Sequence, residues 1–304
     1  MPLTAEYRPT LTTTGINTRV ELDGWAAGAP FTLDAHDTHW ELQEILGWWE
    51  APGVRLSQVE RPSEHGSFDG PAQLAERVIT LTGTARSTDF AATQRSRDIL
   101  TSVVGDPALG LGTLLVYEEG RPTKQATVRR TDRALTRWLS DTFFEWSIIL
   151  VAPDPRRYAA DLSTNFTSLP ASGSGGLVFP LVFPLTFGSG AAGGEMTLTN
   201  SGTMSTPLLL TLRAPVVTPV ITKVSTGQRL EFTSGFDLAT GQADIVINTD
   251  VKTVTQGTVN RRGNLATAQW FNLEAGESAL IRFSGASSDP ATARLTATWR
   301  DAWT

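Results

Sequence analysis

The chain of 304 residues contains no cysteine. Disulfides, thiolate metal ligands and thiol nucleophiles are therefore excluded together. Histidine is scarce: there are three, none beyond position 65. Long apolar runs are also missing. The most apolar segment, Gly176 to Phe187 (GLVFPLVFPLTF), is interrupted by Pro180 and Pro184. It is about half the ~20 residues a membrane span needs, so it reads as a buried or interface strand, and no membrane insertion is expected. The first residues, MPLTAEYRPTLTTTG, lack the basic and apolar regions of a secretion signal. No glycine-rich phosphate loop follows a strand, and neither G-x-S-x-G nor H-E-x-x-H occurs. The formal charge of −6 argues against a general nucleic-acid binder.

What is present points to β structure. Glycine and proline number 27 and 17, serine and threonine are frequent, and 40% of residues are apolar. Charge divides the chain. Residues 1–158 carry 16 basic and 21 acidic side chains, whereas 159–304 carry 9 and 10. Two domains are expected, at 1–158 and 195–304, joined by a Gly/Ser/Pro-rich connector at 159–194.

In the first half, Ile16–Trp25, Trp40–Ile45 and Arg77–Ala85 read as strands from alternation and β-branched content. The period then changes, predicting one helix over about 87–104. It would be capped by Ser87 or Thr88, striped by Ala92, Ile99, Leu100 and Val103, and stopped by Gly105 and Pro107. Strands at Leu111–Glu119, Gln125–Arg133 and Leu135–Val151 form a meander on which the helix packs. In the second half, short strands recur about every ten residues without any helical stripe, as in an antiparallel sandwich. The fold class is mainly β throughout: a split-barrel or sandwich-like first domain with one helix, then an antiparallel β-sandwich.

Four groups carry potential chemistry. The stretch RPSEHGSFDG places Glu64, His65 and Asp69 close together beside Ser63 and Ser67. Triad members normally come from separate elements, so turn-forming residues between Gly66 and Gly70 read as a polar loop. A hydrolase using Glu64, His65 and Asp69 is the catalytic alternative. Asp37, His39 and Glu41 would share a strand face and offer metal ligands, but no second cluster completes a site. Arg129, Arg130, Arg133 and Arg137 form a basic cluster, interspersed with Asp132 and Asp141. It could meet DNA phosphate or an acidic neighbouring subunit, but with those acids, which weigh against DNA, it reads as a solvated or salt-bridged strand face. Of nine tryptophans, Trp270, Trp299 and Trp303 lie in the second half, as core or interface anchors or as a glycan platform. No catalytic, cofactor or metal site is assigned.

The order of the weaker motifs is familiar. A G-W step is followed by Ile45-Leu46-Gly47-Trp48-Trp49 and Pro52-Gly53-Val54-Arg55. Then come the His65–Gly70 loop, R-x-I-x-L-x-G from Arg77, the helix, the meander and Asp154-Pro155-Arg156-Arg157-Tyr158. In the second half stand Asp244–Asp250, Trp270–Leu273 with Gly276, Ile281–Phe283 and Trp299–Trp303. Across essentially the whole chain this resembles the siphophage distal tail proteins, particularly those of actinobacterial phages.

The resemblance implies a structural protein of the virion, made in the host cytoplasm and needing no cofactor. It implies a first domain that closes into a hexameric ring and a galectin-like second domain that points outward. Its partners would be the tail tube protein, tail-tip and fibre proteins, and DNA passing through the lumen. The Glu64, His65 and Asp69 loop would dock between subunits. Because residues 159–304 contain no histidine, the galectin likeness is one of architecture. A carbohydrate-binding module or host-surface adhesin is the alternative function.

Overall fold

The computed structural model describes residues 18–23, 38–106, 108, 110–118, 120–170 and 194–304. The apolar run at 176–187 and Asp37 lie outside them. The chain forms two compact units: Met1–Ala160 with Trp303–Thr304, and Asp161–Ala302.

Unit 1 contains β1 (Thr18–Asp23), β2 (Thr38–Leu46), β3 (Val54–Leu56), β4 (Val59–Glu60), β5 (Ser67–Phe68) and β6 (Ala72–Leu74). After these come β7 (Arg77–Ser87), α1 (Phe90–Ser102), β8 (Gly112–Glu118), β9 (Lys124–Arg130), β10 (Leu135–Ser140), β11 (Phe143–Ala152) and β12 (Arg157–Ala159). One antiparallel sheet runs β1-β8-β9-β11-β7-β2, with β10 attached to β11 and β12 to β9. It does not close into a barrel: β1 and β2 are its ends. Every strand of that path contributes to a single core, from Val20 and Leu22 to Trp40 and Leu42.

The R-x-I-x-L-x-G run explains itself on β7. Arg77, Ile79, Leu81 and Gly83 alternate inward, as a strand with one buried face requires. Gly83 makes room for aromatic packing. A Cβ there would lie 2.7 Å from the Trp146 ring and 1.9 Å from the Glu41 carbonyl. Trp146 in turn meets Trp40 edge-on at 5.9 Å, and Trp40 meets Phe144 at 5.6 Å.

The helix starts later than the sequence reading places it. Ser87 still belongs to β7, and its hydroxyl pairs with Thr38 at 2.9 Å. Asp89 is the cap, accepting from the Ala92 amide at 2.7 Å. The buried face of the helix is Ala92, Thr93, Ser96 and Leu100, while Ile99 is half-buried. Ala92, Leu100 and Val103 of the expected stripe are buried, and the Ser96 hydroxyl adds a polar contact to that face, reaching Thr38 at 2.6 Å. The segment expected as one strand over Leu135–Val151 is two, β10 and β11, hinged at Asp141–Thr142.

Unit 2 opens with β13 (Ser163–Ser168), which lies where a connector was expected, then β14 (Glu195–Thr199), β15 (Leu209–Arg213), β16 (Val216–Lys223), β17 (Arg229–Phe232) and β18 (Asp237–Leu238). It continues with β19 (Ile245–Asn248), β20 (Thr253–Gln256), β21 (Val259–Asn260), β22 (Leu265–Ala268), β23 (Ser278–Ala286) and β24 (Arg294–Trp299). Two antiparallel sheets, β13-β24-β15-β19-β20-β21 and β14-β23-β16-β17-β22 with β18, enclose one apolar core. β16 begins before Pro219 because the chain bulges between Val217 and Val220, where Thr218 takes a φ of 46°. At the end of β16, Lys223 is 2% exposed and reaches Glu277 at 2.7 Å and the Asn272 carbonyl at 2.8 Å.

Candidate assembly surface

Between β2 and β7 the chain of unit 1 leaves the sheet. β3 pairs with β6 and β4 with β5, each a two-stranded ribbon that pairs with no other strand among the described residues. None of residues 53–74 is buried, although the segment carries large apolar side chains. Val54 is 57% exposed, Leu56 56%, Val59 66% and Phe68 56%. Strand propensity and a tight Gly70, whose added Cβ would meet the Ser57 carbonyl at 1.8 Å, shape the arm. No core receives it.

Its root is built differently. Gly47, at a φ of 78°, rests against β7, where a Cβ would lie 1.8 Å from the Val78 carbonyl. Arg77 is 1% exposed and gathers the root. It donates to the carbonyls of Gly47 (2.8 Å), Trp48 (3.2 Å), Glu50 (2.6 Å) and Pro155 (2.9 Å). Burial, and secondarily the Arg157 charge, bring its pKa down to about 10, partly offset by Glu50. Asp154 sits on the far side of this root. Burial pushes its carboxyl up, but Arg156 at 2.8 Å and the Tyr158 hydroxyl at 2.6 Å outweigh burial and hold it below the usual carboxylate range. The D-P-R-R-Y motif is thus a polar knot that fixes the chain after β11.

RPSEHGSFDG forms the tip of the arm. Arg61 pairs with Glu64 at 3.3 Å and lies 5.0 Å above the Phe68 ring. Asp69 accepts from the Gly70 amide at 3.1 Å. Glu64, His65 and Asp69 are exposed and not hydrogen-bonded to one another, so the tip holds no base aligned on a nucleophile. Among the described residues, no group of three His, Asp or Glu side chains could hold a metal ion. Glu41 instead accepts from Thr84 at 3.1 Å.

A second exposed apolar group lies across unit 1. Among the described residues β10 pairs with β11 alone, and it shows side chains on both faces. Trp138 packs at 5.8 Å on Phe90 at the start of α1, under the Arg97 guanidinium. Leu135 and Leu139 are 48% and 45% exposed. Of the basic cluster, Arg130 donates to the Thr101 carbonyl at 2.7 Å and Arg137 pairs with Glu145 at 3.3 Å, while Arg129 and Arg133 are exposed on their strand and turn. The sequence reading assigns none of these apolar residues to a surface. Their only signal is large side chains in segments too short and too broken by Gly, Pro and Ser to enter a core.

The tryptophans of the second half separate. Trp299 is buried in unit 2 and donates to the Thr199 carbonyl at 2.9 Å. Trp270 is half-buried against the same core, with Arg262 at 5.8 Å from its ring. Trp303 belongs to unit 1, under the Lys124 ammonium at 4.8 Å. Unit 2 has a polar hollow of about 350 Å³, lined by Thr233, Asp237, Gln242, Gln256, Arg261 and Asn264 among others.

No family model matches the chain, and no curated protein matches its sequence. Solved structures do. The crystal structure of SPP1 Dit (gp 19.1), described as a paradigm of the hub adsorption apparatus of phages infecting Gram-positive hosts, aligns with a TM-score of 0.63. That alignment has 12% identity and covers 94% of this chain and 99% of SPP1 Dit. The phage P2 baseplate in its activated conformation also aligns, with a TM-score of 0.47 and 12% identity over 92% of this chain and 97% of the other. The resemblance to distal tail proteins therefore holds at the level of the fold: over nearly its whole length, this chain is built as the SPP1 Dit hub protein is.

Proposed function

We propose that the chain is a non-catalytic structural protein of the phage virion, the distal hub of a non-contractile tail. Six copies of unit 1 close into a ring that continues the tail tube and leaves a lumen for DNA. The tube protein sits on one side of the ring, and tail-tip or fibre proteins sit on the other.

The arm carries this reading. Complete burial of a Val, Leu or Phe is worth roughly 1.5–3 kcal/mol, and Val54, Leu56, Val59 and Phe68, each more than half exposed, forgo part of it. Four such side chains on one short excursion make a surface suited to covering by protein, in a chain with the fold of a hub. A head-to-tail contact that closes on itself yields a ring. Light scattering of the full chain at rising concentration, with negative-stain imaging, tests it. A hollow six-copy particle is the expected result, and a monomer at every concentration overturns it.

One observation favours a second role for unit 2. The hollow presents hydroxyl, amide, carboxylate and guanidinium groups beside Phe236, a set suited to a polyhydroxylated ligand. On this reading the protein captures saccharides of the host wall on a glycan array, and Gln242→Ala with Asp237→Ala abolishes capture. An array without signal for the unsubstituted protein ends the second role and leaves the hub untouched.

A further inference from the structure

We infer that the arm of one copy docks on the α1–β10 face of the next. This rests on the ring reading and names the two halves of its contact. Among the described residues of one subunit, two apolar surfaces stay exposed. Val54, Leu56, Val59 and Phe68 on the arm enter no core. On a different part of unit 1, Phe90 and Trp138 pack on each other and stay partly exposed, with Trp138 also 6.2 Å from Phe144, and Leu135 and Leu139 are exposed on the same strand.

An edge strand that is apolar on both faces invites pairing with another chain. Monomeric proteins usually blunt such edges. Here β10 carries one arginine, and β11 is its only hydrogen-bonding neighbour among the described residues. The arm offers strands of matching character.

Charge selects the arm as occupant. Residues 53–74 hold Glu60, Glu64 and Asp69 against Arg55 and Arg61. Residues 129–140 hold Arg129, Arg130, Arg133 and Arg137 against Asp132. Two copies placed arm to β10 bring an acidic segment to a basic one, whereas arm to arm or β10 to β10 brings like charges together. Asp141 and Glu145 border the receiving face, and Glu145 is already engaged by Arg137 at 3.3 Å. Complementary charge fixes partner and register more than strength. Because donor and acceptor surfaces differ, the contact is heterologous, the kind that builds a closed ring.

The absence of native cysteine makes the test clean, since every thiol is an introduced one. Val59→Cys and Phe68→Cys mark the arm, and Leu139→Cys marks β10. All three positions are exposed, so folding is retained. With a short bis-maleimide, a chain carrying both Val59→Cys and Leu139→Cys, or Phe68→Cys and Leu139→Cys, should give a covalent ladder on a denaturing gel. Mixing the single variants should give covalent dimers and nothing larger. Leu139→Lys should weaken assembly by at least about tenfold while leaving the thermal melt unchanged.

Assembled particles without cross-links in any pairing overturn the docking and leave the ring standing. Cross-linking by Val59→Cys alone shows arm-to-arm contact and also overturns it. Monomers at every concentration remove the ring reading, and the docking falls with it.

Discussion

Arg77→Met is expected to destabilise unit 1 by about 3–5 kcal/mol, the cost of leaving several backbone carbonyls without their charged donor. The side chain is 1% exposed and serves four carbonyls, three of which belong to the turn that launches the arm. Methionine fills similar space but donates nothing, leaving the Gly47, Trp48, Glu50 and Pro155 oxygens short of partners in a setting where each costs about 1–3 kcal/mol. Arg77→Lys should fall between the two. Its charge is kept, but a single ammonium cannot span a fork of four acceptors. Guanidinium denaturation followed by tryptophan fluorescence measures both, since Trp48 lies buried at the same turn. An Arg77→Met protein as stable as the parent would show that the root is held by packing alone. Assembly should be lost in this variant under conditions where unit 1 is still folded, because the turn that aims the arm loosens first.

The second large effect belongs to unit 2. Glu277→Gln leaves the Lys223 ammonium, 2% exposed, without its carboxylate. A loss of about 3 kcal/mol is expected. Substituting both partners with apolar residues, Lys223→Met with Glu277→Leu, should recover much of it, because the buried charge disappears along with its partner. The same pair gives unit 2 an acid limit. Burial pushes the Glu277 carboxyl upward. The Lys223 ammonium, the Glu274 amide at 2.8 Å and the Ser225 hydroxyl outweigh burial and leave its pKa below the usual value. A carboxylate with a lowered folded pKa stabilises fully above its unfolded pKa of about 4.3, and the contribution fades as pH falls through the folded one. Melting temperature of the parent should therefore drop below about pH 4.3, and Glu277→Gln should flatten that dependence. Parallel curves for the two proteins would assign the acid limit elsewhere.

Much of the framework is legible in the residues, for reasons that also mark where legibility stops. β7 announces itself by alternation, and the inward set Arg77, Ile79, Leu81 and Gly83 is the set the pattern selects. That Gly83 exists for the sake of Trp146, its Cα partner across the sheet, is a tertiary fact with no local trace. The helix is readable, yet its cap moves to Asp89 because Ser87 and Thr38 have a closer use for each other's hydroxyls. RPSEHGSFDG is readable as a polar loop. Its flanks are not readable as an assembly surface, since Val54, Leu56, Val59 and Phe68 look individually like ordinary strand residues. Treating Leu135–Val151 as one strand likewise hides β10, where Trp138 continues the face of its cross-strand partner Phe144 to the sheet edge while Leu135 and Leu139 stay exposed.

The ribbons of the arm have one further consequence. Two strands paired only with each other are marginal in water. In a solitary subunit the arm therefore has little to hold its shape, and much of the entropy of ordering it is lost only on encounter with a neighbour. First contacts between copies begin weak and reversible, wrong partners come apart readily, and grip develops when the last gap in the circle is filled.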